Sequence, residues 1–179
     1  METTRNEYLF RVEAPWIYVG AGEPERKPWI PSAFYAHSGL NVCTRQLRGS
    51  KMRTTQSLMD EFGAALQFFD GFGENWDALR ECLAYMDEWL PADAYILLIE
   101  HADSILADAD EEELATLLRV VHRTGDWWSK AIMDNDRFNR SALPFHCLFL
   151  GPSEGLKRIL DVAARHKVPV RTDSPSMSD

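Results

Sequence analysis

Asp77 and Glu81 stand four positions apart, directly after the run Phe72-Gly73-Glu74-Asn75-Trp76. On a helix that spacing sets both carboxylates on one face, one turn apart. A pair so placed has two chemical uses. It can move protons on a substrate, the separation of the two groups deciding the outcome as in glycoside hydrolysis. It can also hold negative charge against the cations of another molecule. Catalysis would need a cleft around the pair, and no phosphate-binding loop, dinucleotide fingerprint or nucleophile elbow accompanies it in the sequence. His101, His122 and His146 are scattered, without the partner spacing of a metal site. The residues therefore point to a binding surface, not an enzyme, that calls for no cofactor and no metal.

The elements that must position this pair are legible on either side. Gly73 is read as the residue that relieves the turn and Asn75 as the helix N-cap. From Trp76 onward Leu79, Leu83, Met86 and Leu90 recur three or four apart, a stripe that faces a core until Pro91 ends the helix. Asp77, Arg80, Glu81, Ala84 and Glu88 make the opposite face. Like charges one turn apart oppose each other by about 0.2–0.5 kcal/mol. The unpaired N–H groups of the first turn offset part of this, Asp77 benefiting most. Upstream, a helix capped near Thr54 or Thr55 carries the stripe Leu58, Phe62, Ala65, Leu66 and Phe69 into the turn. Residues 41–47 form a strand before it, and the continuous apolar run 95–99 suits a strand buried on both faces of a parallel sheet.

Further along, Asp108 and residues 110–113 are acids that open a helix with Leu114, Leu117, Leu118 and Val121 inside. Arg119, His122 and Arg123 close it before Gly125, an arrangement that complements the helix dipole. Residues 125–143 lack clean periodicity and read as a loop with room for a helical turn. Residues 145–150 form a third apolar strand, followed by a helix capped at Ser153 and a short edge strand at 168–171. At the other end, residues 8–12 and 16–19 are predicted to pair as a hairpin bent at Pro15, with a Gly- and Pro-rich loop over 20–31. The tail from Thr172 is predicted to fray. Strands alternating with helices require crossover connections, hence an α/β architecture with a small parallel sheet.

A chain of 179 residues, 45% hydrophobic and 26% charged, suits a single domain. Its formal net charge of -9 argues against nucleic acid as partner; it suits an ordinary acidic protein as well as one whose charge speeds the approach of a basic macromolecule, and charge alone does not choose between these. Cys43, Cys82 and Cys147 are odd in number and widely spaced, as reduced thiols of a cytoplasmic protein are. No signal peptide and no run of about 20 apolar residues is present, so no membrane partner is expected.

The run Gly73-x-Asn75-Trp76-Asp77-Ala78-Leu79 followed by Cys82-Leu83, with Leu47-Arg48-Gly49 ending a strand and an acid-ended strand over 95–100, resembles the barstar family of ribonuclease inhibitors. The resemblance covers residues 41–150, leaving 1–40 and 151–179 as extensions: a β-hairpin, and a helix with a short strand. It implies a barstar-like core of three parallel strands packed with helices. It also implies a monomer when free, acting as an inhibitor whose helix and preceding loop occlude the active site of a basic ribonuclease or other nuclease toxin, as in toxin immunity. The partner-binding residues it implies are Phe72, Gly73, Glu74 and Asn75 in the loop and Asp77, Arg80 and Glu81 on the helix. Glu81 takes the place of a shorter aspartate, and Arg80 stands where the family's type member presents a tryptophan. An immunity or interaction protein for a different target is the alternative.

Overall fold

The computed structural model describes residues 7–21, 39–134 and 138–172. Residues 1–6, most of the loop read over 20–31, and the tail beyond Thr172 lie outside them. Among the described residues there are seven strands: β1 (Ile17–Ala21), β2 (Val42–Arg48), β3 (Ala94–Glu100), β4 (Ile132–Asp134), β5 (Phe138–Arg140), β6 (Phe145–Gly151) and β7 (Val170–Thr172). The helices are α1 (Thr55–Leu66), α2 (Trp76–Ala84), α3 (Glu111–Trp128) and α4 (Ser153–Arg165).

The apolar runs build the sheet, as expected for parallel strands with both faces covered. Its order is β2-β3-β6-β1-β7, and every pairing in it is parallel. Tyr95, Leu97 and Ile99 of β3 join Phe145, Cys147 and Phe149 of β6 in one core with apolar residues of all four helices. The alternate residues Ala94, Ile96 and Leu98 join Val42, Tyr18, Leu148 and Leu150 in a second core on the other face, sealed in part by Leu9. The three strands implied by the resemblance are β2, β3 and β6. The two outer strands β1 and β7 extend the sheet beyond β6, so the three core strands belong to a five-stranded sheet.

The N-terminal hairpin is not formed. Glu7–Phe10 is a 3-10 turn, and β1 pairs in parallel with both β6 and β7, Ile17 lying opposite Cys147 and Val170. A strand would send Leu9 to the face opposite Tyr8 and Phe10, whereas the turn gathers all three against the second core. His146 sits there too, 1% exposed. Its Nε2 donates to the carbonyl of Arg11 at 3.1 Å, and burial pushes its pKa down to about 4. The predicted C-terminal helix and short strand are present as α4 and β7.

Helix ends differ from the reading of the sequence in three places. α1 starts at the predicted cap, Thr54 accepting from the backbone N–H of Ser57 in a capping box. It stops at Leu66, because Gln67 turns left-handed with φ 56°, so Phe69 leaves the stripe and is 61% exposed. α2 ends at Ala84, seven residues before Pro91, and Met86 and Leu90 reach the core from the short 3-10 turn Met86–Glu88 and beyond. The indole of Trp127 donates to the Ala84 carbonyl and that of Trp128 to the Leu83 carbonyl, each at 2.9 Å. These bonds satisfy carbonyls that a helix end leaves open. Finally, α3 runs without a break through Gly125 to Trp128, where a separate helical turn within a loop was allowed for. Gly125 is no stop signal: a Cβ there would run into the Trp16 ring, so the glycine permits close packing.

Candidate partner-binding site

Asn75 sets the geometry of the surface. Its Oδ1 accepts from the Ala78 backbone N–H at 2.9 Å and its Nδ2 donates to the Gly73 carbonyl at 3.0 Å, so one side chain caps α2 and closes the turn before it. The residue with positive φ in this turn is Glu74, at 46°, and not Gly73. Gln56 on α1 holds Glu74 in place, Nε2 donating to its Oε2 at 2.7 Å. Gly73 serves a different need, because a Cβ at that position would lie 3.1 Å from the Asn75 amide and crowd the cap.

From this cap the carboxylates point outward. The Asp77 side chain is 93% exposed and 3.6 Å from the guanidinium of Arg80, itself 53% exposed. Glu81 is exposed one turn further on. The face behind them is fixed: Leu79 and Leu83 are fully buried, and Trp76 packs against the main core. The Trp76 indole donates to Glu113 Oε2 at 3.1 Å, and the same oxygen accepts from Thr55 at 2.5 Å. One carboxylate thus ties the starts of α1, α2 and α3. Three other acids of that run are also paired within the chain. Glu111 meets Arg165, Glu112 meets Arg119, and Asp108 takes a two-pronged bond from Arg53.

The structure brings Phe72, Gly73 and Glu81 to one surface depression of about 420 Å³ between the turn and α2. Asp77, Arg80 and Glu74 lie outside its lining. Phe72 is half-buried and rests edge-on against Phe68, ring centres 4.8 Å apart. The floor includes Cys82, whose thiol is pushed up in pKa by burial and then by the nearby Glu81 charge, so it stays protonated. Residues that the sequence reading left out complete the walls: Phe69, Tyr85 and Trp89. Phe69 had been assigned to the core because its spacing continues the α1 stripe. The Asp70-Gly71 pair just after it was the only sign that the helix had ended.

The family model described as Barstar (barnase inhibitor) matches residues 42–149. The chain belongs to the barstar family. The matched segment begins with β2 and ends within β6, so the barstar-like part contains the capped turn, α2 and the three central strands. β1 and β7 fall outside it and attach at the edge of β6. No curated protein matches the chain at a significant level. Within the barstar-like segment, His122 lies on α3. It is half-buried, its Nε2 3.5 Å from Asp126 Oδ2, and Asp126 also accepts from the Trp16 indole at 2.8 Å. No described helix is long and apolar enough to cross a membrane.

Proposed function

We propose that this protein is an inhibitor that covers the active site of a basic ribonuclease, using Asp77, Glu81, Arg80 and the loop residues Phe72, Gly73, Glu74 and Asn75. Membership of the barstar family supports the class of activity. The single observation that carries the assignment to this surface is the 93% exposed Asp77 carboxylate on the capped first turn of α2. A ribonuclease must hold a phosphate with Arg, Lys or His donors. A carboxylate held rigidly in that cleft takes the phosphate's place, and desolvation strengthens the pairing as water leaves. The inhibitor performs no chemistry: it acts by occupancy. The net charge of -9 would steer a cationic target toward it. On this reading the protein is a cytoplasmic monomer that neutralises a nuclease toxin without touching nucleic acid or membrane.

One observation favours a related reading with a different target. Arg80 partly neutralises Asp77 at 3.6 Å, so the ridge presents mixed charge and would also fit a partner with an acid beside its cationic pocket. A pull-down with the purified chain, followed by a ribonuclease inhibition assay on the captured protein across a salt series, tests both. Stoichiometric inhibition whose association rate falls steeply with salt supports the ribonuclease reading. Capture of a protein without nuclease activity supports the other target, and turnover of a small substrate by the chain itself refutes both.

A further inference from the structure

The connections of the sheet run in two directions. From β2 to β3, from β3 to β6 and from β6 to β7 the chain steps the same way along the order β2-β3-β6-β1-β7. The helices of these connections, α1 to α4, all contribute to the main core on one face. From β1 to β2 the chain steps the opposite way, past β6 and β3. Both are parallel strands of one sheet, so the chain returns from the carboxyl end of β1 to the amino end of β2. Crossovers of this kind are right-handed in about 98% of cases. With the direction reversed, a right-handed crossover lies on the other face of the sheet, that of the second core.

That face needs cover, because sheets of parallel strands are packed on both sides. The 3-10 turn Glu7–Phe10 supplies part of it. Tyr8 meets the rings of Tyr18 and His146 at centre distances of 6.1 and 5.7 Å, and the Arg171 guanidinium lies 4.5 Å from the Tyr8 ring centre. These contacts place the turn over β1, β6 and β7. The other part of the face is formed by Val42 of β2 and by Ala94, Ile96 and Leu98 of β3.

We infer that residues 29–35 dock on this part of the second face, with Trp29, Ile30, Phe34 and Tyr35 supplying its apolar cover. The stretch between Ala21 and Gly39 that holds them lies outside the described residues, but its two ends fix what it spans. The route runs back along strands of five to seven residues and across three strand spacings. That is about 20 Å by about 14 Å, or roughly 25 Å on the diagonal. Residues 22–38 reach that far even as a helix, at about 1.5 Å per residue. A route over the main face would have to clear a layer of helices about 10 Å thick as well. The order of residues suits the shorter path. Glu23, Glu25, Arg26 and Lys27 follow directly on β1, and the apolar residues come after them, nearer to β2. The N-terminal extension is then part of the core of the domain, and the second face is taken by the chain itself and not by a partner or a second copy.

The test uses the full chain with labelled Ile and Leu methyl groups and labelled aromatic rings, and reads nuclear Overhauser contacts by NMR. The expected contacts join the Ile96 and Leu98 methyls to the rings of Trp29 and Phe34. Phe34→Ser is expected to shift those methyls and to leave the methyls of Leu97 and Ile99, which face the main core, in place. A sample mixed from two differently labelled preparations separates contacts within a chain from contacts between copies. Contacts found only between copies would assign the face to self-association and overturn the inference. Ile96 and Leu98 methyls without contact to residues 29–35, rings of those residues set against the helices of the main face, or Ile96 and Leu98 methyls unmoved by Phe34→Ser would overturn it too. The contacts are recorded in the parent chain, so the outcome does not depend on the variant folding. Nuclease inhibition is no part of the measurement, and the proposed function is judged separately.

Discussion

Replacing Asp77 by alanine separates its role in binding from any role in folding. The side chain is 93% exposed, and its ionic contact with Arg80 spans 3.6 Å in water. An exposed pair of this kind contributes about 0–1 kcal/mol to stability. Its place in the first turn of α2 adds a helix-dipole contribution of about 0.3–1 kcal/mol. Unfolding should therefore lose about 2 kcal/mol at most, a fall in Tm of no more than about 4–8 °C for a chain of this size. Binding is a different matter, because in the complex the carboxylate would face desolvated cations left without a partner on truncation. A central charged contact of that kind is worth more than about 2 kcal/mol, or about a 30-fold rise in Kd. Calorimetric titration of the captured nuclease with the parent and Asp77→Ala, alongside thermal unfolding of each, measures both quantities. A variant that folds as the parent does and binds within about threefold of it would remove Asp77 from the interface and with it the proposed mode of inhibition.

Other substitutions probe the same surface and the core behind it. Arg80→Ala frees Asp77 from a competing cation and should tighten binding to a basic nuclease by about two- to fivefold in surface binding kinetics. Weaker binding would show Arg80 meeting an acid on the target. Asn75→Ala removes the cap of α2 and should lower stability by about 1 kcal/mol in urea unfolding, whereas Asn75→Asp, which keeps the acceptor for the Ala78 N–H, should lose less. Equal losses would show that the bond to the Gly73 carbonyl is the one that matters. His146 makes acid stability pH-dependent. In the folded chain its pKa is pushed down to about 4, first by burial, with the Arg171 charge acting in the same direction. The unfolded chain takes up the proton near pH 6.5 and the folded chain does not, so stability falls between about pH 6.5 and 4, by up to about 3 kcal/mol, and this contribution levels off below. His146→Phe should flatten that window in denaturant titrations at stepped pH, and an unchanged slope would place its origin elsewhere.

What the sequence made legible follows a physical pattern. The strands β2, β3 and β6 and the cap at Asn75 could be read because their signals are local: continuous apolar runs, and an N-cap residue at the head of a 3.6-residue stripe. Most of the failures involve a distant partner. Glu74 and Gly73 exchanged roles in the turn because Gln56, 18 positions upstream, holds Glu74 in its left-handed conformation. Phe69 sat at a spacing indistinguishable from the core stripe, and only the turn at Gln67 releases it to solvent. Gly125 resembled a helix stop until Trp16, from the far end of the chain, occupied the space a side chain would need. For the candidate site, the acids were legible from spacing, but the aromatic hollow was not, since Phe69, Tyr85 and Trp89 come together only after two helix ends have turned.

Those same long-range contacts explain why such a short helix can serve as a rigid mount. A helix of nine residues has little stability by itself, as isolated helices shorter than about 12–15 residues are marginal in water. α2 is instead fixed at both ends from outside. Asn75 caps its start, Glu113 of α3 takes the Trp76 indole, and the indoles of Trp127 and Trp128 hold its last carbonyls. α3 therefore grips α2 at each end and leaves the face with Asp77 and Glu81 untouched. An inhibitor that competes by occupancy gains from this, because a flexible acidic segment would lose conformational freedom on docking and so lose affinity. The extra turn of α3, which runs past Gly125 to bring both tryptophans to the end of α2, is in this sense part of the binding device although it presents little of itself to a partner.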